Sequence, residues 1–198
     1  MKRTKEEAQV TKERLIKTAF KEFLDTGFAE SKLETIASKA GVTRGAFYWH
    51  FKDKSDLLES VIEYTDTESL NICKEIFESE ISAFDKLETI ISLNFPVFKT
   101  KKSEINYVRL KVELYNHFIK EGDKRNIAGN FTNWCFLLLN EMKENDLVRN
   151  NIDLTSAAFS ILTMCSGSYI RYNSLPENIR SLDTLKSYVL NYLKLIMK

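Results

Sequence analysis

Apolar positions along the chain recur every three to four residues, in bands that read as separate helices. Over residues 6–26, Leu15, Ile16, Ala19, Phe20, Phe23 and Leu24 step by four with a neighbour each time, which makes one helical face. Lys12, Arg14, Lys17 and Lys21 lie off that stripe, and Gly27 stands where a left-handed cap ends a helix. A short second helix opens with Ser31 and Glu34, the Ser-x-x-Glu spacing of a capping box, buries Leu33, Ile36, Ala37 and Ala40, and turns at Gly41. A third begins at Thr43, a good N-cap, and runs to Phe51. A fourth starts at Asp53 and carries Leu57, Leu58, Val61, Ile62 and Leu70 past Ile76, roughly 30 Å of helix at 1.5 Å per residue.

Later helices are more apolar and less marked by charge. They are predicted over residues 84–99 (bent or broken by Pro96), 103–120, 123–144, 153–172 and 182–197. The 123–144 segment is apolar nearly all round, which predicts a helix buried on several sides and central in its domain. The sum is an all-α chain of about nine helices. Composition agrees: only 6 Gly and 2 Pro in 198 residues leave little punctuation for the turns of a sandwich or barrel.

Charge and chemistry narrow the function. Net charge is +1, but residues 1–54 hold 12 basic against 8 acidic groups while the remainder is mildly acidic, a division that fits phosphate-backbone binding. No window reaches the ~18 apolar residues of a membrane span, and the charged N-terminus lacks a signal-peptide core, so a cytoplasmic location without membrane partners is expected. Cys73, Cys135 and Cys165 are scattered, and the two histidines, His50 and His117, lie far apart. Neither a disulfide framework, a metal ligand set nor a nucleophile motif can be drawn from them. An enzyme is not expected, nor a cofactor.

The informative stretch is LETIASKAGVTRGAFYWHFKDKSDLL, residues 33–58. Two short helices joined through Ala40-Gly41-Val42 make a helix-turn-helix, whose second helix can enter a ~12 Å major groove. In that helix Ala46, Phe47 and Phe51 pack inward with Val42, leaving Thr43, Arg44, Gly45, Tyr48, Trp49 and His50 toward the other side and the ends. So many exposed rings either read DNA or cover a seam between domains.

The run from Ile36-Ala37 through Ala40-Gly41-Val42-Thr43-Arg44-Gly45-Ala46-Phe47-Tyr48-Trp49-His50-Phe51-Lys52-Asp53-Lys54 resembles the signature of TetR-family transcriptional regulators. Within that family it most resembles the AcrR and TtgR subgroup, repressors of multidrug efflux operons. The likeness is strong over about residues 5–65; beyond them only helix count, length and order are similar. It implies a helix-turn-helix DNA-binding domain at 1–54 and a helical ligand-binding and dimerisation domain at 55–198. It implies roles one position at a time. Thr43 and Arg44 begin the recognition helix, with Arg44 similar to a base-reading residue able to donate two hydrogen bonds to a guanine edge. Gly45 lets the helix approach DNA closely. Tyr48 resembles a phosphate or thymine-methyl contact and His50 a phosphate contact, while Trp49 either holds a sugar-phosphate edge or braces the helix. Ser31 and Lys54 match phosphate-binding positions at helix starts.

The resemblance also implies a homodimer on a palindromic operator and a small-molecule inducer, an apolar or cationic aromatic compound, that releases the repressor. Activation, or control of lipid or other metabolism, is the alternative within the class. Dimer contacts are expected on the last two long helices, from Ala158, Ile161, Leu162, Cys165, Leu185, Val189, Tyr192, Leu193 and Ile196, with Tyr188, Leu190 and Leu195 making a second apolar face. Phe98, Tyr107, Glu113, Asn116, His117, Phe131, Trp134, Cys135 and Leu138 read either as an aromatic ligand pocket or as ordinary core. A Glu113 inside such a pocket would suit a cation.

Overall fold

The computed structural model describes residues 5–121 and 127–198. Among these the chain is all-α: α1 Lys5–Thr26, α2 Leu33–Lys39, α3 Arg44–His50, α4 Lys54–Glu78, α5 Ala83–Leu93, α6 Lys101–Glu121, α7 Ile127–Glu144, α8 Leu154–Arg171 and α9 Leu182–Ile196. Short 3₁₀ turns join α8 to α9, and the one β feature among the described residues is an isolated antiparallel bridge between Val148 and Met197.

The ends of these helices follow local chemistry. Gly27 takes φ +97°, and its N–H donates to Phe23 O, closing α1. At the end of α2, Gly41 at φ +67° donates to Ser38 O while Val42 donates to Ala37 O, the paired bonds of a Schellman cap. Ser82, Asp153 and Ser181 cap α5, α8 and α9 through their side chains. Asp53 accepts from the N–H groups of Ser55 and Asp56, and Asp56 reaches back to the N–H of Lys52, so both acids fix the start of α4. The capping box expected at Ser31 does not form. Lys32 is the N-cap residue of α2 and makes no side-chain cap bond; the Ser31 hydroxyl donates instead to Phe28 O at 2.9 Å, inside the preceding turn.

The chain clusters into two units, one of Met1–Glu68 with Thr100–Leu114, the other of Ser69–Lys99 with Tyr115–Lys198. The division therefore falls within α4 and α6 rather than at residue 54. Its reason is visible in the first unit, where buried Asn106 of α6 donates through Nδ2 to Leu24 O at 2.9 Å and so seals the end of α1. Leu15, Phe23, Ile36, Phe47, Phe51, Leu57 and Ile62 are fully buried and form this unit's core. One ion pair is set against it: Glu22, 5% exposed, accepts from Lys39 and from Thr26, tying α1 to α2. In the second unit α7 packs on α5 and α8, and α9 packs on α5 and α8. Cys135, Leu138, Leu139 and Met142 of α7 are buried, whereas Leu137 is exposed, so α7 is central but not enclosed on every side.

Candidate nucleic-acid interface

The recognition segment is held from behind and open in front. Thr43, extended at φ −73° and ψ 157°, accepts the Ala46 N–H through its hydroxyl at 3.1 Å and starts α3. Phe47 and Phe51 are each 1% exposed and lie 5.6 Å apart between ring centroids, while Ala46 and Val42 are half-buried. That anchoring turns the remaining side chains outward. Arg44 is 70% exposed, Trp49 72% and Tyr48 43%. Burying Trp49 would remove a large apolar area from water, so a seven-residue helix that leaves it out presents it to something else.

The exposed groups organise one another. The Arg44 guanidinium sits 5.6 Å over the Tyr48 ring and 3.7 Å from Glu34 Oε1 on α2. Trp49 meets His50 edge-on at 4.6 Å, and His50 is half-buried. A β-carbon on Gly45 would meet no heavy atom within 4 Å, so the glycine leaves an open notch beside Arg44. These side chains offer a fork of donors, two rings and a gap for close approach, the combination needed to follow a groove and its phosphates.

Lys54 and Ser31 lie elsewhere than on an open surface. The Lys54 ammonium donates to Ala29 O at 2.9 Å and Ser31 O at 2.7 Å, and stands 4.8 Å over the Phe28 ring. Desolvation there lowers its pKa from the usual lysine value, opposed by Glu30. Ser31 is 5% exposed. Lys54 thus latches the start of α4 to the α1–α2 turn, a role its sequence position did not reveal. Sequence reasoning also missed Glu22 and Asn106; each is a polar residue on an otherwise apolar inner face, which was the available signal.

The residues proposed for a pocket do not converge in one unit. Tyr107 and Glu113 belong to the first unit, and Phe98, Asn116, Phe131, Trp134, Cys135 and Leu138 to the second. Glu113 and Asn116 are exposed, so the expectation of a carboxylate inside an aromatic cavity is corrected. The His117 side chain lies outside the described residues. Trp134 lies tilted against Phe77 with ring centroids 6.5 Å apart, with Phe131 half-buried and Cys135 and Leu138 in the core. Burial pushes the Cys73 thiol up to about 11 and Cys165 up to about 12, and raises Cys135 further, so all three behave as apolar core groups.

The expected dimer residues need a similar correction. Ala158, Ile161, Cys165, Leu185, Val189, Leu193 and Ile196 are 5% exposed or less within their own chain, because α8 and α9 turn these faces onto α5 and α7. The outward apolar residues are Phe159 and Ile170 on α8 and Tyr188 and Leu195 on α9, with Leu162 and Tyr192 half-buried beside them. Phe159, Leu162 and Ala158 also line an open concavity of about 530 Å³ against Phe136, Thr132 and Thr155.

Comparison with known proteins decides the family. Residues 15–61 match the model for bacterial regulatory proteins of the tetR family. The chain is 30% identical over 163 residues to a probable acrEF/envCD operon repressor of Escherichia coli K12, covering 77% of this chain and 71% of that one. The chain belongs to the TetR family. Over 66 residues it is 46% identical to the transcriptional regulator AcrR of Shigella flexneri, 33% of this chain and 31% of AcrR. Its fold is shared by a TetR-family regulator from Pectobacterium atrosepticum, with TM-score 0.71, 20% identity and 98% of each chain covered. As a TetR-family member it is a transcriptional regulator, not an enzyme. No described helix is long and apolar enough to cross a membrane.

Proposed function

We propose that this TetR-family protein is a homodimeric, ligand-responsive repressor that binds a palindromic operator and is released by a small apolar inducer, its regulated operon encoding an efflux transporter. The DNA-binding half rests on one observation: Arg44, Tyr48 and Trp49 of α3 are all exposed while Phe47 and Phe51 hold that helix from below. Thr43, Gly45 and His50 complete the contact surface, with Arg44 as the base reader. Lys54 and Ser31 act indirectly, through the α1–α2 turn that they hold in place.

The dimer reading is supported by Phe159, Leu162 and Ile170, which share one face of α8, and Tyr188, Tyr192 and Leu195, which share one face of α9. A two-fold partner covers both faces at once. Repression and efflux are supported by likeness to an operon repressor and to AcrR. With Glu113 at the surface, its carboxylate gives no support to a cationic inducer, and an apolar one is favoured. Since α4 runs unbroken from Lys54 to Glu78, it is the natural lever between inducer and DNA. A gel shift with the DNA upstream of its own gene tests the reading: a retarded band that a scrambled duplex does not compete away is the expected result, and no retarded band would end it.

A further inference from the structure

Arg44 has company that a base-reading arginine does not need for stability. Its guanidinium is flanked on one side by the Glu34 carboxylate, 3.7 Å away on the first turn of α2, and on the other by the Tyr48 ring, one turn along α3. Both ends of the ion pair are largely in water, 70% exposed for Arg44 and 58% for Glu34, so the pair adds little to folding. It also places an acid on the face that must meet a polyanion, in a region otherwise rich in lysine and arginine.

We infer that Glu34 is a specificity-determining residue: it occupies Arg44 in the free protein and on non-cognate DNA, and yields it only to a base edge. The inference rests on the DNA-binding reading above. Three contacts compete for one guanidinium. A backbone phosphate offers two anionic oxygens, an acceptor of the same kind as the carboxylate already in place, and approaching it brings Glu34 toward the phosphates. A guanine offers two acceptors in the plane of the guanidinium fork, a match that discriminates against other bases by about tenfold to a hundredfold. The carboxylate therefore opposes the phosphate contact by charge repulsion, more than it opposes contact with the neutral base edge. Its position on α2 and not on α3 matters, because the Schellman turn at Gly41 fixes the two helices and so the distance between acid and base. Tyr48 limits the opposite swing of the guanidinium, which keeps the side chain aimed along the groove face. Glu34 is a positioning residue in this scheme, since it acts on DNA only through Arg44.

The test uses full-length protein, an operator duplex selected from a random-sequence library, and a scrambled duplex of equal length. Glu34→Gln should bind the scrambled duplex about threefold to tenfold more tightly and the operator within about threefold of wild type, lowering the specificity ratio. On scrambled DNA its log-affinity should fall more steeply with log salt, by about 0.9 for each newly made phosphate contact, or about 1.8 for a dimer that makes one per half-site. Glu34→Asp, which keeps the charge, should retain most of the ratio. In an Arg44→Ala background Glu34→Gln should raise both affinities slightly and alike, leaving the ratio unchanged. An unchanged ratio in Glu34→Gln, or the same gain with and without Arg44, overturns the inference while leaving the regulator reading intact. A wild-type chain that enriches no sequence overturns both.

Discussion

Gly45 lies beside Arg44 with open space where a β-carbon would stand, and this separates what folding asks of the position from what DNA asks. Nothing in the free protein requires glycine there, and inside a helix glycine costs ~0.5–1 kcal/mol relative to alanine. Gly45→Ala should therefore raise the unfolding free energy read from urea melts by that amount while weakening operator binding, since the added methyl stands between α3 and the groove. A variant both more stable and equally tight would show that no close approach occurs. Lys54 poses the opposite case. Its ammonium is spent on two carbonyls of the α1–α2 turn, so Lys54→Met should cost about 1–2 kcal/mol of stability and speed amide exchange over residues 28–31. If instead the variant kept its stability and lost only one unit of salt slope on DNA, the lysine would be a simple phosphate contact.

At the scale of elements, glycines and buried charges set how α1, α2 and α3 are held. Gly27 and Gly41 both have positive φ, but a β-carbon at Gly27 would sit 3.3 Å from the Asn106 side-chain oxygen, whereas at Gly41 it meets nothing within 4 Å. Gly41→Ala should cost about 1–2 kcal/mol for its left-handed backbone, and Gly27→Ala more, because Asn106 must also shift from Leu24 O. Equal losses in paired urea melts would refute that distinction. The hydrogen bond from Lys39 lowers the Glu22 pKa below its ordinary 4.5, against the opposing effect of burial. A depressed carboxylate contributes stability that is complete above the unfolded value and disappears as pH falls through the lower folded value. Wild type should then lose stability below about pH 4.5 faster than Glu22→Gln does, in urea melts between pH 7 and pH 3. The sequence made the helices legible because each buries one face, and burial imposes the period that a reader counts. Gly27 and Gly41 were legible for the same kind of reason, a backbone that other residues resist. The Glu22–Lys39 tie spans 17 residues and the Asn106–Leu24 bond 82, distances over which no local pattern carries information. Ser31 shows the local limit: its spacing to Glu34 fitted a cap, but the hydroxyl found Phe28 O first.

For the whole molecule, the two apolar faces of α9 were readable from sequence, but which face the domain keeps for itself depends on where α5 and α8 lie. The kept face is Leu185, Val189, Leu193 and Ile196; the offered one carries Tyr188 and Leu195. Sedimentation should give about twice the 23.0 kDa chain mass. Phe159→Asp with Leu195→Asp should return it to one chain mass without unfolding it, since both side chains are already largely in water, 62% and 68% exposed. A double variant that stayed dimeric would place the interface elsewhere. Dimerisation matters because the operator reading requires two recognition helices at a fixed spacing of ~34–36 Å, and an inducer needs only to disturb that spacing. The two tryptophans allow this coupling to be measured. Trp49 is 72% exposed on the recognition helix, while Trp134 lies tilted against Phe77 within the second unit. In Trp49→Phe protein the remaining fluorescence reports on the second unit alone, and it should change when an apolar aromatic compound fills that unit. The same compound should weaken the operator complex, and saturating operator should weaken the compound's binding by an equal factor, because equilibrium coupling is reciprocal. A hundredfold effect corresponds to about 2.7 kcal/mol, within the usual range for coupled sites. Tight binding near Trp134 that left operator affinity untouched would remove the inducer from this reading and leave the DNA-binding surface standing.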